Sequence, residues 1–299
     1  MKKFVILANC QGGALTKTLF NNHEFSCTYE LLRILPVQHL KDKDIPDVIE
    51  KLGQADLFIY QPIAATPKRP NELSSAFLLK KTNPKAITIS IPSIYFDGYF
   101  PHLKTLKGHV SVLNLIHDYF IAYSCAIGLS EEKTLELMQK EDLYPKKLSV
   151  GLAEQSIMEL RSREEEFGID MTLSEFIEKN YQHTRLFNHF SHPKTIVFKH
   201  LAEKILNRCA ITSPLVRKIG NQHLLNDFEP PIYRSTYKHL NLQFAEDFDT
   251  YNGSKINELS QQTVVSSFFD FYRQQDLELI KKIVINNKPF VPELVESHL

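Results

Sequence analysis

The sequence lacks the features that mark several large protein classes. Its four cysteines lie far apart and form no CxxC pair, which argues against both a zinc knuckle and a disulfide framework. Basic and acidic residues number 35 each, so the formal net charge is zero and no global basic field exists to gather nucleic acid. Repeats and low-complexity segments are absent as well. With 43% hydrophobic and 23% charged residues, the composition is that of an ordinary globular protein.

Long apolar runs are also missing. The first apolar run ends at Ala8, whereas a secretory core needs about 7–15 apolar residues before a small-residue cleavage site and a membrane helix needs about 20. Later stretches come no closer to either pattern. We therefore expect a cytoplasmic protein without membrane insertion, whose thiols stay reduced.

The most informative stretch lies near the amino terminus. Residues 4–7 are typical of a buried strand, residues 9–13 break the run with an asparagine and two glycines, and residues 14–20 have helical composition. Cys10 lies on the predicted turn at the end of the strand, where open α/β sheets bind ligands. The amides and dipole of the following helix would lower the pKa of its thiol and hold a developing oxyanion. Alternatively, Cys10 is a small buried residue that merely packs there.

Strands and helices alternate through the first hundred residues. Further strands are predicted at 25–35, 55–60 and 86–91, with helices at 45–52 and 71–81. This order predicts an α/β fold with an N-terminal parallel sheet and flanking helices. The polar turns that follow three of the strands, at 9–11, 60–62 and 92–93, would then meet at one edge of the sheet.

Helices dominate from residue 115 onward. Periodicity and capping residues predict them at 116–129, 130–141, 148–167 and 173–181. We therefore expect an α/β part over residues 1–114, which carries the cysteine turn, and a mostly helical C-terminal part over residues 115–299. No flexible linker separates the two parts, so we expect them to form one compact unit.

The loop at 93–102 is unusual because it carries four aromatic residues. A loop bathed in solvent rarely does so, and we expect this one to be packed. It could cover the sheet edge or form a wall of a binding site.

A second polar cluster, at 185–193, contains His189 and His192 and comes just before a helix. The apolar stripe of that helix is Phe198, Leu201, Ala202, Ile205 and Cys209. Pro193 is expected at or near its first turn, which places both histidines near the positive end of the helix dipole. The dipole favours a neutral imidazole, the form that a general base needs. The alternatives are structural histidines that cap the helix, or metal ligands, although no third ligand is evident.

Four segments taken together resemble the WcbI family of capsular polysaccharide biosynthesis proteins. In chain order they are Asn9-Cys10-Gln11-Gly12, Tyr60-Gln61-Pro62-Ile63, the loop from Ile91 to Tyr99, and the segment from Phe187 to Pro193. The resemblance extends to about residue 210, and the C-terminal third carries no matching motif.

The resemblance implies a fold distantly like that of the SGNH-type serine esterases, with a flavodoxin-like sheet. It also implies an O-acetyltransferase that uses acetyl-coenzyme A as co-substrate, needs no metal, and acts on a sugar or polysaccharide acceptor. Cys10 stands where those esterases carry their nucleophilic serine, and His192 or His189 stands near their base. In contrast to them, no aspartate precedes the histidines here, where Asn188 and Ser191 lie instead.

Further residues are expected to hold the coenzyme. They are Asn9, Gln11, Gly12, Gly13, Gln61, Arg69, Tyr95, Asn188 and Lys199. The glycines allow the backbone to approach the acyl oxygen, and the cations, together with Lys68 and Lys194, could meet the phosphates.

Two other functions stay open at this point. A Cys-dependent esterase or deacetylase would need the same cysteine and histidine but no coenzyme. A non-catalytic module of a capsule assembly complex would bind a glycan or nucleotide. Self-association into a homo-oligomer also stays open.

Overall fold

The structure is a computed structural model that describes residues 1–66, 71–106, 108, 110–215, 225–256 and 258–299. Its strands are β1 (Lys2–Leu7), β2 (Tyr29–Leu31), β3 (Leu57–Tyr60), β4 (Ile87–Ser90), β5 (Leu103–Thr105), β6 (Ile116–Asp118), β7 (Phe187–His189), β8 (His192–Pro193), β9 (Thr250–Tyr251) and β10 (Leu259–Ser260). Its helices are α1 (Cys10–Phe20), α2 (His23–Thr28), α3 (Ile45–Gln54), α4 (Ser75–Lys81), α5 (Tyr119–Ala126), α6 (Glu131–Met138), α7 (Lys146–Glu166), α8 (Ser174–Asn180), α9 (Thr195–Arg208), α10 (Arg234–His239), α11 (Gln261–Tyr272), α12 (Leu277–Asn287) and α13 (Phe290–Glu296).

The N-terminal strands form the parallel sheet that the sequence predicts, in the order β2-β1-β3-β4. Val5 of β1 lies opposite Phe58 of β3, and both are fully buried. Successive strand residues point to opposite faces: Phe4 contacts Phe20 of α1 with ring centroids 5.6 Å apart, whereas Val5 clusters with Val48 of α3. Helices therefore cover both faces, which explains why residues 4–7 of β1 and all of β3 are continuous apolar runs.

α9 packs beside α1. Its buried residues recur at helical spacing, and they are Val197, Phe198, Leu201, Ala202, Ile205 and Leu206. Cys209 lies just past the end of the helix, where it hydrogen-bonds Tyr29, and burial raises the pKa of its thiol. Four of the five predicted stripe residues are thus confirmed, whereas Cys209 lies outside the helix and is only partly buried.

The chain divides into two compact units that interleave along the sequence. The first comprises Met1–Ile94, Met158–Glu178 and Pro193–Leu225, and the second comprises Tyr95–Ile157, Lys179–His192 and Asn226–Leu299. The sheet belongs to the first unit. The sequence indicates a different division, after residue 114, which separates an α/β part from a mostly helical part. That division stays a prediction.

The second unit is built around α5. Every residue from Tyr119 to Cys125 is buried because α11, α12 and α13 pack against this helix, as expected for a helix that is apolar on all sides. The mostly helical character predicted for the C-terminal part is confirmed. Within the described ranges, no helix, α5 included, is both long and apolar enough to cross a membrane.

Only residues 29–31 of the predicted second strand form a strand, and the residues before them belong to the helix α2. Asn22 caps a short helix, since its side chain accepts a hydrogen bond from the Phe25 amide, and only the three residues of β2 pair with β1. Phe25 and Tyr29 both pack against Phe4. Because an apolar stretch can fill a core from either conformation, composition alone did not decide between them.

Two predicted helices begin later than expected. Segment 71–81 starts with a single 3-10 turn, and α4 begins after Ser74, whose hydroxyl caps it. Segment 116–129 starts with β6, and α5 begins after Asp118, whose carboxylate accepts hydrogen bonds from two amides. In each segment a capping side chain inside the predicted helix sets the true first turn.

Candidate functional site

The turn predicted after β1 is itself helical. Asn9 is the N-cap of α1, and its Oδ1 accepts a hydrogen bond from the Gln11 amide at 2.9 Å. Cys10 is therefore the first helical residue, and its side chain is exposed. The alternative of a buried packing cysteine is wrong. Each glycine in the first turn costs about 1 kcal/mol of helix stability, which a side-chain cap of about 1 kcal/mol helps to offset.

The two glycines of α1 have different roles. A Cβ atom at Gly12 would lie 2.9 Å from the Cβ atom of Ala8, so the missing side chain lets α1 start directly against the end of β1. A Cβ atom at Gly13 would meet nothing within 4 Å among the described residues. Gly12 is thus needed for packing, whereas Gly13 leaves the helix surface bare beside Cys10.

The polar turns after β1, β3 and β4 meet, as predicted. The Oε1 atom of Gln61 accepts a hydrogen bond from the Asn9 amide at 2.9 Å, and its Nε2 donates to the Pro92 carbonyl and to Gln11, both at 3.1 Å. Gln11 in turn donates to the Ile94 carbonyl at 2.7 Å. Both glutamine side chains are buried, so they clamp the strand ends together. Their predicted contact with a coenzyme stays a prediction.

A cavity of about 300 Å³ lies beside the start of α1. Its lining includes Asn9, Gly13, Thr16 and Lys17 from the α1 side, and Leu31, Arg33 and Ile34 from the end of β2 onward. The walls are largely apolar, and the charged side chains among them are Lys17 and Arg33. Neither cation was among the predicted coenzyme contacts. Lys17 lies two helical turns after Cys10 on the same face, and Arg33 follows β2.

The predicted cations lie elsewhere. Lys68 and Arg69 fall outside the described residues. Lys194 is the N-cap residue of α9, and Lys199 lies in the second turn of that helix. Their predicted role in binding phosphates stays a prediction.

His189 and His192 lie on neighbouring strands, β7 and β8, rather than on an open loop. Their ring centroids are 3.9 Å apart, and the His189 ring stacks on Phe228 at 4.6 Å. His189 is buried, and burial together with the neighbouring His192 holds the pKa of its imidazole well below the ordinary value. Within the described residues, its Nε2 atom has no hydrogen-bond partner. His192 is only half-buried.

Pro193 lies near the first turn of the next helix, as predicted, but just outside it. Pro193 ends β8, Lys194 follows as the cap, and α9 begins at Thr195. Asn188 is buried beside the histidines in β7. Cys10 belongs to the first compact unit and the histidine pair to the second, so their predicted cooperation is taken up below as a proposal.

The aromatic loop is packed, as expected. Phe96, Tyr99 and Phe100 are buried, and the Tyr99 hydroxyl donates to the carbonyls of Tyr181 and Thr184. Tyr95 is 37% exposed, and its expected contact with a coenzyme is still untested. In the described part of the chain, no group of three or more histidine, cysteine, aspartate or glutamate residues could hold a metal ion.

Comparison with known families assigns the chain. A family model described as "Polysaccharide biosynthesis enzyme WcbI" matches residues 3–214, which is well over half of the sequence. The chain belongs to the WcbI family. The resemblance seen in the four sequence motifs is therefore confirmed, and the family is one of polysaccharide biosynthesis enzymes.

A solved structure of WcbI has the same fold. Its TM-score is 0.86 at 21% sequence identity, and the alignment covers 99% of this chain and 98% of the other. The WcbI-like fold therefore extends through the C-terminal third, beyond the family match. That structure is described as a novel polysaccharide biosynthesis enzyme, a native protein without a disulfide bond between coenzyme A and one of its cysteines. A search of curated proteins gives no significant match.

Proposed function

We propose that this protein is a coenzyme A-dependent O-acetyltransferase that modifies a sugar hydroxyl of a surface polysaccharide. The observation that carries the proposal is the exposed thiol of Cys10 as the first residue of α1. The family description supplies polysaccharide biosynthesis. The WcbI structure is described by reference to a disulfide between a cysteine and coenzyme A, and we take Cys10 as the corresponding cysteine because both lie near the amino terminus.

The start of α1 suits acyl transfer from a thioester. The helix dipole places partial positive charge at Cys10, which stabilises both a thiolate and a developing oxyanion. Gly13 leaves space for a ligand against the backbone. The clamp formed by Gln11 and Gln61 fixes the strand ends, so the geometry is set before the substrate arrives.

The proposed reaction has two steps. First, the Cys10 thiolate attacks the carbonyl carbon of acetyl-coenzyme A, the bond to the coenzyme sulfur breaks, and coenzyme A leaves as a thiol after it takes up a proton. The acetyl group is then held as a thioester on Cys10. Second, the acceptor hydroxyl attacks this thioester, loses its proton to a base, and releases the Cys10 sulfur.

We assign His192 as that base. The buried His189 is held neutral, stacks on Phe228 and contacts the tilted ring of His192, and we assign to it the role of orienting that neighbour. His192 is the more accessible of the two, which a proton acceptor for a substrate hydroxyl requires. His189 is then a positioning residue.

Two measurements test the function. Calorimetric titration with coenzyme A should show binding, and mass spectrometry after exposure to acetyl-coenzyme A should find an acetyl group on Cys10. Absence of binding at millimolar ligand would contradict the proposal and favour a coenzyme-independent esterase. Binding without acetylation or turnover would favour a non-catalytic module.

A further inference from the structure

Arg185 lies just before β7 and contacts the backbone of that strand. Its Nε atom donates a hydrogen bond to the Phe187 carbonyl at 3.3 Å, and its Nη2 atom donates to the Asn188 carbonyl at 3.5 Å. These two residues immediately precede His189 in the chain. The guanidinium group is therefore attached to the part of β7 that sets the position of the buried imidazole.

The same guanidinium group also binds the segment that carries Phe228. Its Nη2 atom donates to the Pro230 carbonyl at 2.6 Å, and its Nε atom lies 3.1 Å from a carboxylate oxygen of Glu229. The Phe228 ring stacks on the His189 ring, with 4.6 Å between the centroids and an angle of 9° between the planes. Arg185 thus joins two segments whose aromatic rings lie face to face.

A buried carboxylate holds the guanidinium group in place. The Nη1 atom of Arg185 donates to both carboxylate oxygens of Glu246 at 2.6 Å, and the Glu246 side chain is only 1% exposed. That carboxylate also accepts a hydrogen bond from the Ile232 amide at 2.9 Å. A planar guanidinium group has five donors in a fixed geometry, whereas an ammonium group has three on one compact charge. The arrangement therefore depends on arginine and not on positive charge alone.

We propose that Arg185 is a positioning residue for the histidine pair, because it fixes the stack of His189 on Phe228 and, through His189, the orientation of His192. The inference rests on the proposed function, in which His192 is the base of the second step. The two imidazole rings are in contact, with centroids 3.9 Å apart. A displacement of about 1 Å at a reacting group can lower a rate by about a hundredfold. All of these residues belong to the second compact unit.

The first test is spectroscopic and needs no substrate. The ring current of Phe228 shifts the NMR signals of the stacked His189 imidazole protons, and Phe228→Leu removes that shift and supplies the reference. Arg185→Lys keeps a positive charge beside Glu246 but cannot hold both segments. The His189 signals of Arg185→Lys should therefore move from their wild-type positions toward those of Phe228→Leu.

The second test separates the two steps of the proposed reaction by single-turnover kinetics. Arg185→Lys should acetylate Cys10 at the wild-type rate, but it should transfer the acetyl group to the acceptor about ten- to a hundredfold more slowly. Arg234→Lys is the matched control, since that arginine of the same unit bonds Gln139 and Asp249. It should leave the imidazole signals and both rates unchanged.

The positioning role is overturned if Arg185→Lys leaves the His189 signals unchanged, or if it slows acetylation and transfer by the same factor. If circular dichroism shows that this variant is unfolded, Glu229→Gln takes its place, because it weakens only the contact with the Phe228 segment. A smaller movement of the signals in the same direction is then expected, and no movement overturns the proposal. If wild-type Cys10 takes up no acetyl group, the proposed function is overturned, and the His189 signals alone decide whether Arg185 holds the stack.

Discussion

α1 and α5 start in the same way and have opposite surroundings. Each follows a strand within two residues, and each is capped by a side chain that accepts hydrogen bonding from the first turn, Asn9 for α1 and Asp118 for α5. The first helical residue of α1, Cys10, is exposed, whereas the first residue of α5, Tyr119, is buried. The two starts belong to different compact units.

The residues after the cap account for the difference. Two small glycines follow Cys10, and Gly13 leaves open space. After Asp118 the chain continues with large aromatic and branched residues that fill the core of the second unit. Asp118 itself is fully buried, accepts a hydrogen bond from the Tyr233 hydroxyl at 2.7 Å, and lies 3.7 Å from the His102 ring. A capped strand-to-helix junction can thus be open to solvent or part of the core, depending on the volume of the side chains that follow the cap.

The largest expected effect on activity is at the start of α1. Cys10→Ala and His192→Ala should each lower acetyl transfer by at least about a hundredfold, because each removes a group that takes part in bond or proton transfer. The double variant should be little worse than either single one, since residues that act as a unit are not additive. Steady-state rates with acetyl-coenzyme A and a sugar acceptor measure this.

A buried cysteine near the end of α5 provides the control. Cys125 is buried in α5, so Cys125→Ala should lower the free energy of unfolding while leaving transfer per folded molecule unchanged. Near-normal turnover of Cys10→Ala would show that the acceptor hydroxyl attacks the thioester directly. Loss of activity in His189→Ala but not in His192→Ala would show that the base is His189.

The contrast also explains what the sequence could reveal. The parallel sheet followed from apolar runs at regular spacing, and the meeting of the polar turns followed from the sheet, because parallel strands end at the same edge. The start of α1 at Cys10 was missed, since two glycines suggest a break and only the side-chain hydrogen bond of Asn9 reveals a cap.

The cations of the cavity were missed for a different reason. Arg33 reaches the cavity because β2 is three residues long and lies next to β1. Strand order and strand length depend on pairing across the chain, which local composition does not report. The stacking of His189 on Phe228 is likewise a contact between residues far apart in sequence.

The contribution of the start of α5 to stability is expected to depend on pH. Burial raises the pKa of the Asp118 carboxyl to about 7 and lowers that of the His102 imidazole to about 3. The folded carboxyl therefore binds a proton that the unfolded chain releases, so its contribution to stability falls as pH rises from about 4 to 7. The folded imidazole stays neutral where the unfolded one is charged, so its contribution falls as pH drops below about 6.5.

Two variants separate these opposed contributions. Relative to the wild-type protein, Asp118→Asn should become more stable as pH rises between about 4 and 7, by at most about 1.4 kcal/mol per pH unit. Asparagine can still accept the amide hydrogen bonds that start α5. His102→Gln should show the opposite slope. Denaturant titrations across this range measure both, and a difference from wild type that does not depend on pH would contradict the assignment.

The smallest expected effect distinguishes the two glycines at the start of α1. Gly12→Ala should destabilise the protein by about 1–3 kcal/mol, because its Cβ atom would collide with Ala8 and force α1 away from β1. Gly13→Ala should instead stabilise it by about 0.5–1 kcal/mol, since the added methyl group meets open space and alanine favours a helix. Thermal unfolding of the pair measures this, and effects of the same sign would refute the assigned roles. Because the methyl group also occupies the bare face beside Cys10, Gly13→Ala should bind coenzyme A more weakly despite its greater stability.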